Sequence, residues 1–224
     1  PPGINRDRDN TTIINRQLNE QSLQVCVEDL ADKDARAVYK PYTVNLVNYG
    51  RLKMFFHAHA NGDDNVADDE VSGFLRIGTD EVDNYYEIEV PLKITQEGEF
   101  TAASIWPEQN EIDIALNELL ALKALRNRSG VNQLSRYSGT SENGRYKLIV
   151  KGNPDMSSLQ TLMIGVRNPS SDDGAPKSVC LWANELRVTD FDKHKGWAAN
   201  GSVVAQLADV ARVSATGQYT SFGF

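Results

Sequence analysis

Short runs in which apolar and polar residues alternate dominate this chain, with Gly, Pro, Asn and Asp punctuating the gaps. In RYKLIVKG, Leu148 and Val150 oppose Lys147 and Lys151. That two-residue period marks a half-buried strand, because successive side chains leave opposite faces. Runs of this kind, rich in β-branched and aromatic residues, predict strands over residues 22–30, 35–40, 51–60, 72–80, 84–94, 144–152, 160–168 and 178–189. One stretch follows the other period. IALNELLALKALRNRSG sets Leu116, Leu119, Leu120 and Leu122 near one side, has basic residues in its last turn and Gly130 just beyond. These are the marks of a short helix and its stop. Together they predict an all-β fold, a jelly-roll-like antiparallel β-sandwich with one short helix, over residues 21–192. Residues 1–20 are polar and weakly patterned, and predict an extended lead-in that lies over the surface or pairs at an edge.

The last stretch, GWAANGSVVAQLADVARVSATGQYTSFGF over residues 196–224, alternates differently. With a reversal at Asp209, Leu207 faces Ala211, Ala205 faces Val213, Val203 faces Ala215 and Gly201 faces Gly217. The intervening pairs are Gln206 with Arg212, Val204 with Ser214 and Ser202 with Thr216. One register thus gathers nearly all apolar residues on one face and nearly all polar ones on the other. Trp197 falls opposite Ser221, near Tyr219 and Phe222, so the aromatics collect at the open end of the hairpin. Two architectures produce such a hairpin: the closing strands of a water-soluble sandwich, or two strands of an outer-membrane barrel, apolar towards lipid and polar towards a lumen.

The small residues, the placement of the aromatics and an ending in FGF without a cap favour the barrel. Val203, Ala205, Leu207, Ala211, Val213 and Ala215 are then the lipid-facing candidates, and Trp197, Tyr219 and Phe222 the interfacial girdle. Tight turns of such barrels lie on the periplasmic side. The turn at Asp209 is tight, so the chain before Trp197 is expected outside the cell, with residues 1–192 at the cell surface.

Composition narrows the partners. Across 224 residues, 31 acidic and 23 basic side chains give a formal charge of −8. That balance repels nucleic acid and anionic headgroups. No apolar run reaches the length of a membrane helix. The opening, PPGINRDRDN, reads as though cut from something longer. Two cysteines are too few for a disulfide scaffold. Cys26 falls on the polar face of its run, whereas Cys180 shares parity with Trp182, Leu186 and Val188, which look core-facing. Two free thiols are therefore expected.

Candidate chemistry is sparse. His57 and His59 share a strand face and a pair of this kind can bind zinc, but no third ligand stands at suitable spacing, so a solvated histidine pair is expected. NGDDNVADDE gathers Asp63, Asp64, Asp68, Asp69 and Glu70, oxygen ligands suited to calcium, without the spacing of an EF-hand loop; a solvated charged loop is expected. A glycosidase pair such as Glu87 with Glu185 depends on a separation the sequence does not fix. Nucleophile-elbow, P-loop and dinucleotide fingerprints are absent, so no enzyme and no cofactor is expected. Tyr85 and Tyr86, adjacent on one strand, point to opposite faces, and Trp182 falls in line with the core. Trp106, before a proline in a loop, is left as the exposed candidate for stacking on a glycan.

Four stretches carry a family resemblance: NRDRDNTTIINRQLNEQSL, FLRIGTDEVDNYYEIEVPLKIT, LMIGVRNPSSDDGAPKSVCLWANELRVTDFD and the terminal GWAANGSVVAQLADVARVSATGQYTSFGF. They span most of the chain, and WANELRVTDFD running into GWAANG is the most specific part; residues 63–72 and 127–143 carry little. The chain resembles the SprA/Sov proteins of Bacteroidetes, outer-membrane translocons of the type IX secretion system linked to gliding motility. The resemblance implies a fragment of a much larger barrel that passes folded cargo bearing C-terminal secretion signals to the surface. It also implies partners: the cargo proteins, a PorV-type companion barrel and a periplasmic plug. It implies no catalytic residue. The expected role is architectural, a cap over residues 1–192 shaping the cargo exit path beside a barrel hairpin over residues 196–224. The rival is a cell-surface carbohydrate-binding jelly-roll module.

Overall fold

Most of the alternating runs become strands. The computed structural model describes residues 8–9, 16–17, 22–62, 66–171, 174–192, 198–207 and 211–220. The fold is all-β with two short helices, and the chain divides into two compact units, Pro1–Asp190 and Phe191–Phe224. In the first unit, β1 (Arg8–Asp9) and β2 (Arg16–Gln17) pair antiparallel with each other. The described part of the lead-in is thus a ribbon of its own. Then come β3 (Leu23–Leu30), β4 (Ala35–Val44), β5 (Tyr49–Ala60), β6 (Ser72–Gly78) and β7 (Tyr85–Pro91). A helical turn, α1 (Ala102–Ile105), precedes β8 (Ile112–Ala115) and the longer α2 (Leu116–Ser129). The unit is completed by β9 (Tyr137–Thr140), β10 (Lys147–Lys151), β11 (Leu159–Arg167) and β12 (Lys177–Phe191). One sheet has six strands in the order β4-β11-β6-β7-β10-β9, and the other has four, β3-β12-β5-β8.

Both sheets contribute to one core. Leu52, Met54, Phe56 and Ala58 of β5 join Val179, Leu181 and Ala183 of β12, and Tyr86, Ile88 and Val90 of β7 join Leu148 and Val150 of β10. Each of the Val, Leu, Ile, Met and Phe side chains among them, fully removed from water, contributes about 1.5–3 kcal/mol. The middle of the six-stranded sheet is buried on its other face as well: Phe74, Tyr85, Glu87 and Glu89 are all inaccessible. β4 is different. It is an edge strand exposed along nearly its whole length, with Pro41 set where one side needs no backbone donor.

α2 begins one residue after β8 ends and stops at Gly130, whose left-handed backbone (φ 71) closes the last turn. Leu116, Leu119 and Leu122 face the core, but Leu120 is 48% exposed, contrary to the expected grouping. Arg126 takes the place in the inward row that follows, fully buried, donating from Nη1 to the Gly152 carbonyl at 2.6 Å. Gly152 itself has φ 67, and a Cβ there would run into the Asp83 carbonyl, so this turn requires glycine.

The cysteine expectation fails. Cys26 and Cys180 are bonded as a disulfide, their Cα atoms 4.0 Å apart. The expectation missed because it read β12 as a single phase. Glu185 sits at φ 52 and breaks the alternation, so Val188 packs towards the core while Val179, Leu181 and Ala183 do so earlier in the strand. Cys180 and Trp182 consequently take the opposite face, and Cys180 stands directly across from Cys26 in the β3–β12 register.

Candidate functional site

The second unit is the hairpin. β13 (Ala198–Leu207) and β14 (Ala211–Thr220) are ten residues each and form a two-stranded sheet. Its register is the expected one: Val203 opposite Ala215, Ala205 opposite Val213, Leu207 opposite Ala211 and Gly201 opposite Gly217. Tyr219 stands across from Ala199, in the same row. In this sheet Val203 is 68% exposed, Leu207 58%, Val213 54% and Tyr219 57%. Ser202, Gln206, Arg212, Ser214 and Thr216 share the other face, with Val204 its main apolar member. Trp197, Phe222 and the turn at Asp209 lie outside the described residues. Ten residues at about 3.3 Å each give about 33 Å, which at a tilt of about 40–45° covers about 25 Å. That is the height of the apolar band of an outer-membrane barrel.

A second candidate lies on the face of the four-stranded sheet that points away from the core. Phe55, His57 and His59 alternate with the buried residues of β5. His57 Nδ1 lies 2.7 Å from the Ile105 carbonyl and 3.2 Å from the Thr95 hydroxyl. The Thr95 hydroxyl donates to the Ser104 carbonyl at 2.7 Å, so towards His57 it accepts. Nδ1 of His57 therefore carries the proton, and its Nε2 presents a lone pair to His59 Nδ1 at 3.1 Å. Burial pushes both imidazoles below their usual titration range. Trp106 stands 5.9 Å from His57 and meets Phe55 edge to face at 6.5 Å, while Trp182 meets His57 edge-on at 6.1 Å. Both indole N–H groups are buried without a hydrogen-bond partner among the described residues. The histidine pair is thus half-buried among aromatics, not solvated as expected. Trp106 is itself half-buried, packed at the sheet by the turn of α1.

The SprA_N family model, described as motility related/secretion protein, matches residues 1–224. The chain belongs to this family. No curated protein matches it. SprA_N membership gives the chain a role connected with motility and secretion at the cell envelope.

In the acidic loop of this SprA_N chain, Asp68 and Glu70 turn their carboxylates to groups of the protein itself. Asp63 and Asp64 lie outside the described residues. Asp68 accepts from the Ile94 amide at 2.8 Å, Asp69 adopts φ 66 at the turn, and Glu70 accepts from the Ala67 amide and pairs with Lys177 at 3.1 Å. Among the described residues, no three or more His, Cys, Asp and Glu side chains come together as metal ligands.

The buried carboxylates of β7 were not anticipated. Glu87 is fully buried and takes Arg76 on one oxygen, with Nε at 2.8 Å. Arg136 and Arg167 each donate to its other oxygen at 2.8 Å. Glu89 stands 3.3 Å from Arg167 Nε and 3.7 Å from Lys147 Nζ. The Arg76 guanidinium also lies 3.9 Å from the centre of the Tyr85 ring. Glu185 belongs to the other sheet and pairs with Arg187 at 2.9 Å, so each carboxylate of the imagined glycosidase pair has its own arginine. The sequence did hold a signal: Glu87 and Glu89 interrupt a strand whose neighbours are apolar, and Arg76 stands opposite Glu87 in the β6–β7 register.

A groove of about 580 Å3 opens beside the start of α2, lined among others by Leu46, Val47, Leu116, Leu120, Lys123 and Met156. Lys123 Nζ donates to the Pro154 carbonyl at 2.8 Å, and burial, with the nearby Arg126 charge, lowers its pKa. No sequence motif pointed to this groove.

Proposed function

We propose that this chain is a non-catalytic piece of an outer-membrane protein-secretion barrel. In this reading β13 and β14 are two strands of the barrel wall, with Val203, Ala205, Leu207, Ala211, Val213 and Ala215 towards lipid. Residues 1–192 form an extracellular cap, a jelly-roll-like sandwich of the two sheets, that shapes the exit path for secreted cargo. Its partners are the cargo, a PorV-type companion barrel and a periplasmic plug. The observation that carries the proposal is the hairpin: an apolar row with more than half of each Val203, Leu207 and Val213 side chain exposed, backed by a mostly polar row. Family membership supports the secretion part of the reading. The Cys26–Cys180 disulfide supports a place in the envelope, since such bonds persist in oxidising compartments.

The test is a pair of substitutions in the full-length protein. Val213→Arg puts a charge on the lipid-facing row and is expected to cost about 2–4 kcal/mol near mid-membrane, read as loss of assembled barrel from the outer membrane. Ser214→Arg, one residue on and facing the lumen, is expected to assemble normally. Equal tolerance of both would remove the proposal's support.

A further inference from the structure

We propose that His57 and His59 form a two-histidine chelate for a borderline divalent transition-metal ion such as copper(II), nickel(II) or zinc(II). The inference stands apart from the barrel reading. Two residues apart on β5, the histidines leave the same face of the strand. Their facing nitrogens, His57 Nε2 and His59 Nδ1, are 3.1 Å apart. Two nitrogens each about 2.0–2.1 Å from one ion, subtending an angle of about 90–110°, stand about 2.8–3.4 Å apart. The observed spacing falls inside that window.

The supporting contacts fit the same role. A ligating histidine donates its other ring N–H to a carbonyl or carboxylate, which fixes the tautomer. His57 does so to the Ile105 carbonyl at 2.7 Å, and Thr95 accepts from the same nitrogen at 3.2 Å. Without metal, His59 Nδ1–H donates to His57 Nε2. On binding, the ion takes the place of that proton, which moves through solvent to Nε2 of His59. Both imidazoles stay neutral, and no net proton is released. Trp106 and Trp182 pack against the His57 ring, and neither offers a competing ligand atom. No further His, Cys, Asp or Glu among the described residues completes the set, so the remaining positions are open to water or to a donor from another molecule. Imidazole ligands favour copper over nickel and zinc.

Copper is therefore the probe. The chain has three tryptophans, Trp106, Trp182 and Trp197, and the first two flank His57. Titrating copper(II) chloride alone, in a non-chelating buffer, is expected to quench tryptophan fluorescence saturably with one ion per chain. His59→Ala is expected to weaken that binding at least tenfold, with an unchanged circular-dichroism spectrum. His194→Ala, at the third histidine, is expected to leave it unchanged. Electron paramagnetic resonance of the unmodified chain at one equivalent of copper is expected to show two coordinated imidazole nitrogens, a readout that needs no variant. Oxygen-only coordination, wild-type affinity in His59→Ala, or loss of binding in His194→Ala would each overturn the proposal. So would the absence of saturable quenching up to millimolar copper.

Discussion

β7 and β13 are both antiparallel strands written in alternating residues, yet they end in opposite conditions. β7, YYEIEVP, buries six of its seven residues, and β13, AANGSVVAQL, leaves all ten exposed. The first lies between β6 and β10 with apolar residues on its core side and arginines over its carboxylates on the other. The second has one neighbour, β14. A two-stranded ribbon is marginal in water by itself. β7 thus finds partners for its polar and apolar groups within the first unit, while the hairpin leaves a row of valines and alanines exposed.

The largest effect should come from removing the centre of the first unit's polar arrangement. Glu87→Ala leaves three guanidinium groups facing an emptied, buried position. Unfolding by urea should show a loss of about 3–5 kcal/mol, the usual result of breaking a buried ion pair from one side. An unchanged midpoint would mean that the cluster contributes nothing and that the contrast with the hairpin rests on apolar packing alone.

A smaller effect belongs to the β6–β7 loop. Burial by itself would raise the pKa of Asp80, but the Asn84 side chain and the amides of Asp83, Asn84 and Val82 outweigh it, taking the pKa down to about 2 from 3.8. With the folded value depressed, the stabilisation is complete above the unfolded pKa and disappears as pH falls from about 4 through about 2, amounting to about 1 kcal/mol once solvent screening of this exposed loop is counted. Stability measured across that window should lose this component in Asp80→Ala. A variant with the wild-type acid profile would show that the loop's hydrogen bonds are not what depresses Asp80.

The smallest effect is expected on the exposed side of α2. Leu120→Gln exchanges a side chain already 48% exposed and should change stability by no more than about 0.5 kcal/mol. A cost near that of a core leucine would mean that Leu120 packs against the first unit despite its exposure.

Strand positions were legible because a period of two is written locally: Leu148 and Val150 against Lys147 and Lys151 needs no knowledge of the rest of the chain. The hairpin register was legible for the same reason, since pairing the two alternating runs residue by residue sets Val203 opposite Ala215. The short elements β8, β9 and α1 were missed because four residues complete no pattern. The disulfide was missed because a single left-handed residue, Glu185, shifts the phase of β12, and such a kink leaves no mark in hydrophobicity. The histidine pair stood out in the sequence, but the burial of His57 depends on Trp106 and Trp182, which reach it from 49 and 125 residues away. Glu87 was overlooked as a structural residue because its partners Arg136 and Arg167 are brought to it only by the strand order of the sheet.

The central claim is that the two units face different surroundings, and site-specific labelling on intact cells tests it most directly. In the full-length protein, Phe100→Cys would mark a position 77% exposed in the first unit, and Asp209→Cys would mark the hairpin turn. With a membrane-impermeant thiol reagent, the account predicts that Phe100→Cys reacts on intact cells and that Asp209→Cys reacts only after the outer membrane is permeabilised. Reaction of Asp209→Cys on intact cells, or protection of Phe100→Cys until permeabilisation, would contradict it.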